Sequence, residues 1–163
     1  MVTFATILNK LNEKNIKYVI VGGLAVILHG YNRVTADIDL LLSLDEKNLE
    51  AMDKAMRELK YYPRIPVNVI ELADHKRLER YQKEKNFKAY TFTSEGQPPI
   101  NVDIIIEESL KFDSFYKRKK MFQFQTHFLP VISLPDLITM KKKANRDKDR
   151  LDASALMTFH LDV

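Results

Sequence analysis

Two aspartates, Asp37 and Asp39, stand one residue apart in the run TADIDLLL, and a third, Asp103, interrupts the apolar run INVDIII. Side chains on a strand alternate between faces, so Asp37 and Asp39 share one face while Ile38 packs on the other. In the second run Ile100, Val102 and Ile104 form one face, and Asp103 falls opposite them with Asn101 and Ile105. Two like charges this close raise one another's pKa unless a cation lies between them. Mg2+, a hard cation, prefers carboxylate oxygens together with substrate phosphates. If the two runs are neighbouring strands, Asp37, Asp39 and Asp103 converge on one patch with carboxylates about 4–6 Å apart. Two Mg2+ ions held there, with Mn2+ as a substitute, would activate an attacking hydroxyl and stabilise the leaving oxygen of an in-line displacement. A turn or a helix cap is the competing use of such a pair. Three leucines follow Asp39, however, and an unpaired charge beside a core is costly.

Ahead of the aspartates, KYVIV ends in Gly22 and Gly23. A strand that stops at two glycines and opens a helix leaves backbone N–H groups uncovered at a helix terminus, with no Cβ to keep a phosphate away. An ordinary tight turn has the same sequence. Near the C-terminus, Lys141 continues the apolar stripe of Leu134, Leu137 and Ile138 and so faces inward, whereas Lys142 and Lys143 face solvent. An inward lysine needs an anion: a triphosphate serves, and so does Asp149 or Asp152. Arg33, in the loop before the aspartates, reaches a phosphate or, the preferred reading, braces Asp37. His29 braces the same loop, and His75, His127 and His160 lack metal-ligand spacing.

The elements that must position these residues follow from periodicity. Phe4, Ile7, Leu8 and Leu11 predict an opening amphipathic helix. KYVIV is a strand, LAVILHG a helix closed by Gly30, and TADIDLLL a second strand. Ser43 and Glu46 form a capping box for a helix with the stripe Leu49, Met52, Met56 and Leu59. DHKRLERYQKEKN reads as an exposed helix, FKAYTFT and INVDIII as strands joined by the turn SEGQPP, and FQFQTHFLPVIS as one strand or a bent pair. Ser133 caps a helix with Pro135 in its first turn, and a last helix runs from about Lys148 to Phe159. The order is α-β-α-β-α, then α-β-β-β, then two helices. It describes an α+β (or α/β) domain with a mixed sheet and helices packed mainly on one face. Residues 1–163 are one domain, 134–163 its C-terminal helical pair.

At 163 residues, 45% hydrophobic and 29% charged, the composition is that of a globular chain. The absence of cysteine excludes disulfides, thiolate catalysis and cysteine-type zinc sites. No apolar stretch is long enough to span a bilayer, and the first residues lack the features of a signal peptide, so the expected location is the cytoplasm, away from membranes. The net charge of +4 gathers in YKRKKM and MKKKANRDKDR, clusters that attract polyanions or simply keep a face solvated.

Gly22-Gly23, Asp37-x-Asp39 and a separate Asp103 on a later strand resemble the nucleotidyltransferase superfamily typified by DNA polymerase beta. GGLAVILHGYNRVTADIDLLL is similar in particular to small bacterial and archaeal nucleotidyltransferase-like proteins related to abortive-infection toxins. The segment LITMKKKANRDKDRLDASAL matches that branch through Lys141, Arg146, Lys148, Asp149 and Asp152. The resemblance implies a minimal nucleotidyltransferase fold and Mg2+-dependent transfer of a nucleoside monophosphate from an NTP to an acceptor hydroxyl of RNA, protein or a small molecule. Asp37, Asp39 and Asp103 would be the metal-binding and catalytic carboxylates. Gly22, Gly23 and Lys141 would hold the nucleotide, supported by Arg33, Lys148, Asp149 and Asp152. An antitoxin is the implied partner. A non-catalytic nucleotide- or RNA-binding module, or a toxin acting by sequestration, is the alternative. The commonest superfamily form has Gly-Ser where this chain has Gly22-Gly23, so a hydroxyl contact to phosphate is replaced by backbone alone.

Overall fold

Ile7, Leu8 and Leu11 form the buried stripe of α1 (Phe4–Glu13) in the computed structural model, which describes residues 1–96, 98–107 and 110–161. Thr3 caps this helix by accepting the Thr6 N–H. The four residues of β1 (Tyr18–Val21) are all buried, and the chain passes directly into α2 (Gly22–Leu28) through Gly22 at φ +66°. That left-handed conformation favours a residue without Cβ.

After β2 (Ile38–Leu42), α3 (Glu46–Glu58) buries Leu49, Met52 and Met56 as its stripe predicts. Its cap differs from the expected Ser43–Glu46 box. Asp45 accepts the Asn48 N–H at 2.9 Å, and Ser43 Oγ donates to the Asp45 carboxylate at 2.6 Å. An ionised acceptor at a helix N-terminus satisfies the orphan N–H better than a hydroxyl does. A short β3 (Tyr62–Pro63) and a 3-10 turn (Val69–Ala73) precede α4 (His75–Lys85), β4 (Ala89–Thr93) and β5 (Val102–Ile105). Gln97, in the predicted SEGQPP turn, lies outside the described residues.

α5 (Phe112–Arg118) is an addition to the predicted order, as is β3. None of its residues is buried, so it carries no apolar stripe to read. FQFQTHFLPVIS resolves into a hairpin of β6 (Lys120–Phe124) and β7 (His127–Val131). Ser133 caps α6 (Leu134–Ala144) as expected, and α7 (Asp147–Leu161) packs on α6. Asp162 and Val163, at the end of the predicted helical pair, lie outside the described residues.

The seven strands make one mixed sheet in the order β3-β4-β5-β2-β1-β7-β6, and with the helices an α+β domain. β2 runs antiparallel to β1 and parallel to β5, and β4 runs antiparallel to β5. The register matters for the site. Asp39 stands opposite Asp103 on one side and Val21 on the other, and Thr91 stands opposite Asp103. One row across four strands therefore reads Thr91, Asp103, Asp39, Val21, and Val21 leads into Gly22. Ile38, Leu40, Val102 and Ile104, the alternate residues, are fully buried in the core.

Candidate active site

Asp39 is the centre of the row. Burial pushes its carboxyl up to about 6, helped by the negative charges of Asp103 and Asp37, while Lys141 and the Gly23 N–H pull the other way. Asp103 is also raised, first by burial and then by Asp37. The Thr91 hydroxyl, which donates to Asp103 Oδ1 at 2.6 Å, and the positive charge of Arg64 oppose that shift. Asp37 sits just before β2, because the strand begins at Ile38 rather than at Thr35. Its Oδ1 accepts the Asn101 N–H at 3.3 Å, which ties the end of the loop to the start of β5. The three carboxylates are thus near neighbours that repel one another, a repulsion that a divalent cation relieves.

The donor set fits Mg2+. Every candidate ligand is an oxygen, two carboxylates face each other in register, and the buried Oδ1 of Asn101 beside Asp37 has no hydrogen-bond partner. The closed three-ligand cluster expected from the spacing is not formed. Among the described residues, no three His, Cys, Asp or Glu side chains are gathered tightly enough to hold an ion as they stand. Asp37 is engaged by the Asn101 N–H and Asp103 by Thr91.

The two glycines have different jobs. A Cβ on Gly22 would lie 1.9 Å from Asp39 Oδ2, so only glycine lets this carboxylate rest against the turn. Gly23 is buried, and a Cβ there would meet Thr35 Oγ1 at 2.6 Å and Arg33 Cζ at 3.4 Å. Its missing side chain is filled by the loop before the aspartates. The missing Cβ of Gly23 therefore serves a packing contact with that loop.

The C-terminal residues form a latch. Lys141 Nζ lies 3.0 Å from Asp149 Oδ1 and 2.9 Å from Asp152 Oδ2, so of the two partners left open for it, the carboxylates are the ones it has. Arg33 donates to Asp152 Oδ2 at 2.6 Å, which replaces the expected brace to Asp37. Arg146 Nε donates to the other oxygen of Asp149 at 2.6 Å. Asp149, Asp152 and Lys141 are all buried. Burial pushes Asp149 up, but hydrogen bonds from Arg146 and Lys141 outweigh it and hold the carboxyl below its usual range. Three cations thus surround two anions, and Arg146, the most exposed of them, is close enough to Asp39 to sense its charge. Lys148 lies exposed in the first turn of α7 and takes no part in the latch. His29 is buried, and its Nε2–H donates to the Ile132 carbonyl at 2.8 Å, which fixes the end of α2 to the end of β7.

Thr91 and Arg64 complete this surface without being among the expected site residues, and Arg146, named only through the resemblance, faces outward beside them. Thr91 had a signal, since it lies on one face of the alternating run FKAYTFT; what was missing was the strand that pairs with it. A separate cleft of about 840 Å3 opens at the C-terminal ends of β2 and β5, between Leu42, Leu78, Ile106 and Phe112, and none of the three carboxylates lines it.

The mixed sheet and its helices match the fold of solved nucleotidyltransferases. The chain shares it with the lincosamide antibiotic adenylyltransferase LnuA (TM-score 0.59, 13% identity, 96% of this chain and 97% of that one). It shares it also with a nucleotidyltransferase-like protein of Paracoccidioides brasiliensis (TM-score 0.61, 13% identity, 95% and 73%). A third is ANT(2")-Ia, solved with adenylyl-2"-tobramycin (TM-score 0.55, 13% identity, 95% and 85%). Residues 6–155 match the family described as nucleotidyl transferase AbiEii toxin, type IV toxin–antitoxin system, and the chain belongs to that family. No curated protein matches its sequence. Among the described residues no helix is long and apolar enough to cross a membrane.

Proposed function

We propose that the chain transfers a nucleoside monophosphate from an Mg2+-bound NTP to an acceptor hydroxyl and releases pyrophosphate. The observation that carries this reading is Asp39 beside Asp103 on parallel strands, with the Gly22 turn pressed against Asp39. Mg2+, when bound, neutralises phosphate charge and lowers the pKa of a coordinated hydroxyl. Asp37, Asp39 and Asp103 would hold it. Asp103 would also receive the acceptor's proton, as the acceptor oxygen bonds the α-phosphorus and the bond to the departing pyrophosphate breaks. Gly22 and Gly23 keep the turn and Asp39 in register beneath the phosphates. Arg146, with Lys141 behind it, supplies positive charge toward them. In this reading the protein works in the cytoplasm, opposed by an antitoxin.

The test is incubation of the purified chain with each α-labelled NTP, Mg2+ or Mn2+, and separate RNA, protein and small-molecule acceptor pools. Label should move to one pool, and Asp103→Asn should abolish the transfer. Failure of the wild-type chain to label any pool would remove the catalytic reading and leave a nucleotide-binding module.

A further inference from the structure

The row across the sheet contains one polar side chain that the proposed reaction has not used. Thr91, on β4, stands opposite Asp103 in the antiparallel register, and its Oγ1 donates to Asp103 Oδ1 at 2.6 Å. The bond engages Oδ1 and not Oδ2. We propose that Thr91 is a positioning residue of the nucleotidyl-transfer site: its hydroxyl anchors Oδ1 of Asp103 and presents Oδ2 to the cation and to the acceptor's proton. The inference rests on the transfer reading given above.

The physical case has three parts. A hydroxyl-to-carboxylate bond of this length is charge-assisted and among the stronger side-chain hydrogen bonds. It fixes the carboxylate plane, which otherwise rotates freely about its last torsion. Asp103 needs such a restraint, because the Asp39 carboxylate stands opposite it in register and the charge of Asp37 repels it. Thr91 is in turn held from behind: its carbonyl accepts the Arg64 N–H at 2.9 Å, so β3 and β4 form the rigid backing of the bond. Partners of metal-ligating groups commonly contribute 10- to 100-fold to affinity or activity through orientation alone.

The experiment compares Thr91→Val, which keeps the shape and loses the hydroxyl, with Thr91→Ser, which keeps the hydroxyl and loses a methyl. Thermal unfolding of the chain confirms that each variant is folded. Two quantities are then read: Mn2+ affinity by titration calorimetry in the presence of a non-hydrolysable NTP analogue, and steady-state transfer of label. Thr91→Val should weaken Mn2+ binding roughly 10-fold and lower kcat about 10- to 100-fold, with the KM for NTP changed less than about 3-fold. Thr91→Ser should restore both to within about 3-fold of wild type. Wild-type Mn2+ affinity and kcat in Thr91→Val would overturn the proposal while leaving nucleotidyl transfer intact. Equal damage from both variants would also overturn it, by assigning the effect to packing. If the wild type binds Mn2+ with the analogue but labels no acceptor, the transfer reading fails, and the Mn2+ comparison still decides whether Thr91 orients Asp103. If the wild type binds no Mn2+, both proposals fall.

Discussion

Asp39 is a carboxylate held where an ionised group is costly. Its folded pKa of about 6 lies above the ordinary 3.8, chiefly because of burial and then because of Asp103 and Asp37. The folded state therefore binds its proton more tightly than the unfolded state does. The corresponding stability is fully present below about pH 4 and is lost as pH rises through about 6. A shift of this size corresponds to about 2–3 kcal/mol. In EDTA, Asp39→Asn should consequently unfold at a higher temperature than wild type at pH 8, and at nearly the same temperature at pH 4. Thermal denaturation at the two pH values checks this, and equal stability at pH 8 would mean that Asp39 is solvated. The same carboxylate sets a second expectation. Gly22→Ala combines a strained φ with a Cβ 1.9 Å from Asp39 Oδ2, whereas at Gly23 the atom met is the rotatable hydroxyl of Thr35. Gly22→Ala should destabilise the chain by about 1–3 kcal/mol and weaken Mn2+ binding, and Gly23→Ala should cost about 1 kcal/mol or less. Urea denaturation gives the order, and the reverse order would contradict the packing.

Among the elements, the α6–α7 pair is joined to the loop before β2 by the buried latch. Lys141 and Arg33 share Asp152, so one substitution takes the partner of Arg33 and leaves Lys141 with Asp149 alone. Breaking a buried pair from one side costs about 3–5 kcal/mol, more than the intact pair contributes over an apolar replacement. Asp152→Ala should fall in that range in urea denaturation. Arg33→Ala should lose much less, because Arg33 is partly exposed and Asp152 keeps Lys141. Equal losses would mean that Arg33, not Lys141, is the partner that counts. The latch also marks where the sequence stops being legible. The 3.6-residue stripe placed Lys141 inward and the two-residue alternation put Asp39 and Asp103 away from the core, because both signals are local. Arg33 and Asp152 are 119 positions apart, and only the assembled sheet and helices bring them together. Thr91 was hidden for the same reason, since its meaning depends on which strand pairs with β4. α5 and β3 escaped notice because the one buries nothing and the other is only two residues long.

At the scale of the whole molecule the site spans the fold. It draws on α2, β2, β4, β5 and the α6–α7 pair, so a ligand bound there ties the first 40 residues to the last helices. Such a ligand should raise the unfolding temperature of the entire domain rather than tighten one loop. At 100 times Kd the gain is about 2.7 kcal/mol, or roughly 5–10 °C for a domain of this size. Mg2+ alone and NTP alone should each produce little of it, because the carboxylates repel the triphosphate and the cation lacks its phosphate ligands. Asp39→Asn should lose most of the joint shift, since that carboxylate lies between Asp103 and the glycine turn, at the centre of the proposed site. Asp103→Asn should retain part of the shift while losing transfer, because the amide keeps one acceptor oxygen but neither the charge nor the basicity. Parallel measurement of the thermal shift and of label transfer in the three proteins separates binding from chemistry. Transfer at the wild-type level in Asp103→Asn would take Asp103, and with it the positioning role of Thr91, out of the mechanism.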